Sequence, residues 1–188
     1  MILHPASRSR RLGLPGLPHP DRLAGALGRS LDDDYHWFRD VAPGGMEPIE
    51  AVLVGLGGTW ALTSGGQRGR YARRNGHWYR WNRSTESWVP WDPAPITAAR
   101  LAGRRLSLYL ERAGLPADVS AVLMAPTDTE VEAGPGEQIG LAVEGDPQRL
   151  ARLVSAEERL TQQQVERIVA LLDPRQPLPR LAQATRGG

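Results

Sequence analysis

The apolar positions change period several times along the chain, and each change marks an element. Leu23, Ala24, Leu27 and Leu31 recur at helical spacing, which predicts a short helix over Asp21 to Leu31. The run Asp32-Asp33-Asp34 suits a turn, and Tyr35 to Phe38 reads as a short strand. Ile49 to Val54 is apolar, rich in β-branched residues and bounded by Pro48 and Gly55, so it reads as a buried strand. Gly57-Gly58 supplies a turn, and Thr59 to Thr63 returns as its antiparallel partner. A second hairpin runs from Arg70 to Arg73 and back from His77 to Trp81, because Asn75-Gly76 tolerates the positive φ angles that a tight turn needs.

The remainder alternates helix and strand. Ile96, Ala99, Leu106, Leu110 and Ala113 share one face of a helix over Ile96 to Ala113, with Gly114 where a stop belongs. Val119 to Met124 and Ile139 to Val143 read as strands. Asp146-Pro147 starts a short helix, with Asp as cap and Pro at its first position. Thr161 and Gln164 have capping-box spacing and open a helix that runs to Leu172. The whole is an α/β mixture with one central mixed sheet flanked by helices. Residues 1–19, broken by prolines and carrying Arg8, Arg10 and Arg11, read as a flexible basic arm. Residues 20–173 form the domain, and 174–188, rich in Pro, Gln and Gly, read as a disordered tail.

Composition removes several chemistries. All 23 basic side chains are Arg and none is Lys, so no lysine base, Schiff base or phosphate-loop lysine is available. The absence of Cys removes disulfides, thiol nucleophiles and thiolate zinc sites. The four His are scattered without ligand spacing. No apolar run has membrane-spanning length and the N-terminus lacks a signal-peptide core, which points to a cytoplasmic protein with no membrane partner. The net charge of +2 conceals an asymmetry: residues 68–83 hold six Arg and no acid, while 31–67 hold six acids against Arg39 alone.

The stretch from Ile49 through Gly58 to Leu62, continued by Thr63-Ser64-Gly65-Gly66-Gln67-Arg68-Gly69-Arg70-Tyr71, resembles the core of the nuclease-related domain (NERD) family. The resemblance covers residues 20 to 155 and implies a PD-(D/E)xK, restriction-endonuclease-like fold. Members typically read Ile-Asp-His, three apolar residues, Gly-Pro-x-Gly, a second apolar strand, then Glu-x-Lys and a Gly. The family's chemistry places a carboxylate pair at the ends of two adjacent strands to hold Mg²⁺, with the lysine positioning the attacking water. In this chain the first acid falls on Glu50, the second on Thr63 and the lysine on Gly65. The family's early helix glutamate falls near Pro20 or Asp21, and its later helix glutamine falls near Thr97 or Ala98. The resemblance therefore implies a degenerate site with no catalytic residue, no metal and no cofactor. Mg²⁺ enters only in an alternative in which Glu47 joins Glu50 and Gln67 or Arg68 replaces the lysine.

The second hairpin carries the other candidate chemistry. Between Arg68 and Trp91, Trp78, Trp81, Trp88 and Trp91 interleave with Tyr71, Tyr79 and the six Arg. Arginine neutralises phosphate and aromatic faces stack on unpaired bases. Arg68, Arg70, Arg73, Arg74, Arg80 and Trp81 are thus candidate contacts to DNA or RNA, joined by Arg100 and Arg104, four apart on the following helix. Aromatic cross-strand packing with Arg stacked on the rings is the structural alternative, and Trp78 is its first candidate. Three functions follow: a non-catalytic binding module for nucleic acid, a protein-interaction scaffold, and an atypical metal-dependent nuclease.

Overall fold

The computed structural model describes residues 1–4, 20–91, 94–132 and 141–173. Three antiparallel strands, β2 (His36–Val41), β3 (Ile49–Gly55) and β4 (Gly58–Ser64), form the middle of a six-stranded sheet. β8 (Val119–Met124) adds parallel to β4, and β10 (Leu141–Glu144) adds parallel to β8. At the other edge β1 (Ile2–Leu3) pairs parallel with β2.

Helices cover both faces, and the strand sequences show why. Along β3, Ala51 and Leu53 point to a core shared with α1 (Pro20–Leu27) and α3 (Pro147–Val154), through Leu23, Leu27, Leu150 and Val154. Val52 and Val54 point the other way, to Ala102, Leu106 and Leu110 of α2 (Ala94–Arg112) and Val165 and Ile168 of α4 (Gln162–Leu172). A strand buried on both faces reads as a continuous apolar run rather than an alternating one. Among the described residues no helix is long and apolar enough to cross a membrane.

Several local signals act as their chemistry predicts. Asn75 (φ 51°) and Gly76 (φ 80°) turn the second hairpin. Asp146 caps α3 by accepting from the Gln148 N–H, and Thr161 and Gln164 close the capping box of α4 from both sides. Pro95 lies in the first turn of α2, where its missing N–H costs nothing.

The structure departs from the sequence reading in four places. The first helix ends at Leu27 rather than Leu31, although Leu31 stays buried. The first hairpin turns on Leu56-Gly57 rather than Gly57-Gly58. There Gly57 is required, since a Cβ would lie 1.6 Å from the Val154 carbonyl oxygen. Residues 1–4 of the expected arm are docked: Ile2 N–H donates to the Tyr35 carbonyl, His4 N–H donates to the Trp37 carbonyl, and the Met1 ammonium contacts Asp33 at 2.9 Å. The rest of that arm, the start of the strand expected at 139 and the expected tail lie outside the described residues.

The fourth departure bears on function. A second, four-stranded sheet exists, ordered β7 (Ser87–Pro90), β6 (His77–Asn82), β5 (Arg70–Arg74), β9 (Glu130–Glu132). The chain enters it from the end of β4 and again from the end of β8, two parallel neighbours whose last residues, Ser64 and Met124, are in register. β9 lies parallel to β5 and places Glu130 beside Arg70.

Candidate nucleic-acid interface

The positions that match the nuclease pattern come together, but as a closed structural corner. Ala51 pairs with Leu62, so Glu50 on β3 stands level with Thr63 on β4. Both oxygens of the Glu50 carboxylate are occupied by Ser64: Oε2 accepts from its backbone N–H at 2.6 Å and Oε1 accepts from its hydroxyl at 2.6 Å. Thr63 turns its hydroxyl toward the Val122 carbonyl at 3.5 Å. Gly65 donates its N–H to the Met124 carbonyl at 3.0 Å and has no room for a side chain. A Cβ there would lie 2.9 Å from Pro95 Cβ and 3.3 Å from Leu123 Cδ1.

The residues that could compensate lie elsewhere. Glu47, the possible second acid, is exposed and ion-paired with Arg105 at 2.7 Å. Gln67 gives its backbone carbonyl to the Tyr71 hydroxyl. Asp40 on β2 falls between the Arg39–Ala51 and Val41–Ile49 pairs, but its backbone is left-handed (φ 51°) and the residue is buried. Among the described residues no three acidic or His side chains gather as metal ligands would. Thr97 and Ala98, where the family's helix glutamine falls, are exposed on α2.

The second sheet has two unlike faces. One face buries Tyr71 and Trp78, with Trp91 and Val131 against them, onto Ile96, Ala99, Leu123 and Val143. Burial raises the Tyr71 phenol above its usual range, and the nearby positive charge of Arg80 acts against that rise. Arg73 belongs to this inner face: its guanidinium stacks over Trp78 at 5.8 Å and donates to the Leu141 carbonyl at 3.3 Å. It tethers the two sheets through the Leu141 carbonyl.

The opposite face is a ladder of arginine and indole. Arg70 lies 5.6 Å from the Trp81 ring and 5.8 Å from Trp88, Arg74 lies 5.1 Å from Trp88, and the two indoles meet edge to face at 5.4 Å. Arg70 also bonds Glu130 at 3.0 Å and Glu132 at 2.7 Å.

Where the loops leaving β4 and β8 meet, the Glu130 N–H donates to the Gly69 carbonyl at 3.0 Å and a cleft opens. Its volume is about 480 Å³, and it is lined by Arg68, Gly69, Arg70, Arg80, Arg83, Asp128 and Glu130. An adjoining depression of about 360 Å³ shares those four arginines and adds Trp81, Asn82 and Ser84. This lies beyond the carboxyl ends of two parallel strands, where open α/β sheets commonly bind ligands. Arg68, Arg80 and Arg83 make no ion pair among the described residues. Arg83 joins the cleft because β6 and β7 fold back beside Arg68; the acid-free run over 68–83 contains it, yet spacing alone does not single it out. Arg100 and Arg104 are exposed on α2 and line neither part of the cleft. No protein family, curated protein or solved structure matches this chain.

Proposed function

We propose that this chain is a non-catalytic, NERD-like binding domain that holds nucleic acid in the arginine cleft of its second sheet. The observation that carries the reading is the convergence of Arg68, Arg80 and Arg83, free of acid partners among the described residues, beside the indole of Trp81. Guanidinium groups take phosphate oxygens in a planar fork, and an indole edge or face receives an unpaired base. A concave site suits a single strand, whose backbone enters while its bases remain free to stack.

The family reading has separate support. Glu50 and Thr63 stand level on adjacent strands, where that family's acid pair belongs. What opposes catalysis is Thr63 in place of an acid, the Ser64 donors on Glu50, and a Gly65 site that Pro95 closes to lysine. Mg²⁺-dependent cleavage would have to proceed from Glu50 without its partners. A cytoplasmic location goes with this reading, since nothing in the fold depends on disulfides. A protein partner is the competing reading, favoured by the charge-balanced ladder of Arg70, Arg74, Trp81, Trp88, Glu130 and Glu132, because interfaces are enriched in Arg and Trp.

Binding of labelled single-stranded and duplex oligonucleotides across a salt series tests the proposal. Three arginines on phosphate predict a slope of log K against log salt of about −2 for a single strand. Replacing Arg80 and Arg83 with Ala should weaken binding and flatten that slope. Salt-independent binding would count against phosphate contacts by these arginines, and no binding at low salt would end the nucleic-acid reading.

A further inference from the structure

The strand β9 has the sequence Glu130-Val131-Glu132, and its register on β5 gives the two kinds of side chain different tasks. Val131 packs against the inner aromatic core and anchors the strand. Glu130 and Glu132 alternate to the outer face, which is the face of Arg70. There they bracket one guanidinium: Glu130 Oε2 accepts from Arg70 Nε at 3.0 Å, and Glu132 Oε1 accepts from Nη2 at 2.7 Å. The same guanidinium lies over both Trp81 and Trp88. The two carboxylates therefore hold Arg70 across the indoles on which bases would stack, and Glu130 also forms part of the cleft wall.

From this geometry we infer that Glu130 and Glu132 are a built-in competitor of phosphate, and that a single-stranded nucleic acid binds by displacing them from Arg70. The inference rests on the nucleic-acid reading of the cleft. The exchange is within reach because all three side chains are well exposed, at 45% for Arg70, 70% for Glu130 and 49% for Glu132, and exposed ion pairs are weak. A phosphate diester takes the guanidinium in the bidentate geometry that the two carboxylates now share. As Arg70 moves to phosphate it uncovers Trp81 and Trp88, and the bases of an unpaired strand stack there. A duplex keeps its bases paired and gains only the exchange of anions, so displacement favours single strands. Ligands lacking phosphate gain neither contribution, and the resident carboxylates keep them out.

The test is fluorescence anisotropy with a labelled oligothymidylate of about 15 nucleotides, measured across a salt series. Four full-length proteins are compared: the wild type, Glu130→Gln with Glu132→Gln, Arg70→Gln, and the triple variant. Glutamine keeps the size of each glutamate, and the β9 pairing to β5 is made by backbone, so the sheet is retained; a thermal unfolding curve for each variant, Arg70→Gln included, verifies this. Removing the competitor should tighten binding about two- to tenfold, as expected for two exposed ion pairs. It should also steepen the salt slope by about 0.7, because Arg70 then contacts phosphate without leaving two bare carboxylates behind. In the Arg70→Gln background the same glutamines should change affinity less than about twofold. Wild-type binding with normal salt dependence, together with no gain from the glutamines, would overturn the competitor and leave the cleft intact. An equal gain in the Arg70→Gln background would also overturn it, since the effect would then be general charge. Failure of all four proteins to bind at low salt would remove the nucleic-acid reading and this inference with it.

Discussion

The two hairpins of this chain, β3–β4 and β5–β6, begin from similar plans and reach opposite ends. Each is antiparallel, and each turns over two residues that include a glycine. In the first, both faces are buried and the polar groups at the open end satisfy one another: Glu50 takes two donors from Ser64, and Gly65 is packed under Pro95. In the second, one face is buried, and Arg68, Arg80 and Arg83 line a cleft at its edge without acid partners among the described residues. Polar groups that have found partners inside a fold have little left to offer a ligand. Cations left uncompensated beside a concavity keep that capacity. The position that resembles a catalytic centre is thus the quieter of the two.

Installing an acid and a lysine at the two positions that resemble a nuclease pattern is the strongest way to challenge this contrast. Thr63→Glu combined with Gly65→Lys returns the pattern on paper but forces atoms into Pro95 and Leu123. We expect a loss of about 1–3 kcal/mol of stability, as for other overpacked sites, and no Mg²⁺-dependent cleavage. Denaturant unfolding and a plasmid-nicking assay check both points. A stable variant that nicks DNA would mean that the first hairpin is an intact site lacking only two side chains.

A somewhat smaller effect is expected from Glu50→Ala. It strips the partner from the Ser64 N–H and hydroxyl in a half-buried setting, which should cost about 1–2 kcal/mol in urea unfolding. Affinity of the folded protein for oligonucleotide should be unchanged. A loss of binding without a loss of stability would make Glu50 part of the interface.

The smallest effect separates the regions by pH. His36 on β2 is hydrogen-bonded to His4 at 3.1 Å, and burial lowers its pKa below the ordinary 6.5. Asp34 opposes that shift and the Met1 ammonium adds to it. The folded chain thus binds a proton at His36 less readily than the unfolded chain. Stability should be full above 6.5, fall as pH drops below it, and level off below the folded pKa. Arginines keep their charge throughout this range, so binding per folded molecule should not follow the same curve. Unfolding and anisotropy measured together from pH about 8 to about 5 check this, and His36→Gln should remove the decline attributed to this group.

What could be read from the sequence was what short-range chemistry determines. The apolar run at Ile49–Val54, the Asn75-Gly76 turn and the Thr161–Gln164 box each specify their element within a few residues. β9 could not be read this way: Glu-Val-Glu has no strand signature, and its partner Arg70 is distant in the chain. Ser87–Pro90 is equally short and ends in proline, which suits an edge strand but signals none. Without β7 and β9 the sequence cannot tell Arg73, turned inward to the Leu141 carbonyl, from Arg83, turned toward the cleft. The alternation of faces in β5 and β6 explains the rest: Trp78 enters the core, while Trp81 stays outside with Arg70. That Thr63 is not an acid and Gly65 not a lysine was legible from the residues themselves; that Pro95 closes the second position to a side chain was not.

The most direct measurement is to incubate one labelled single-stranded oligonucleotide with the protein and Mg²⁺ at low and then high salt, following anisotropy and strand length together. The account predicts that the strand binds at low salt, dissociates as salt rises and stays full length. A strand that is cut, or one that never binds, would contradict it.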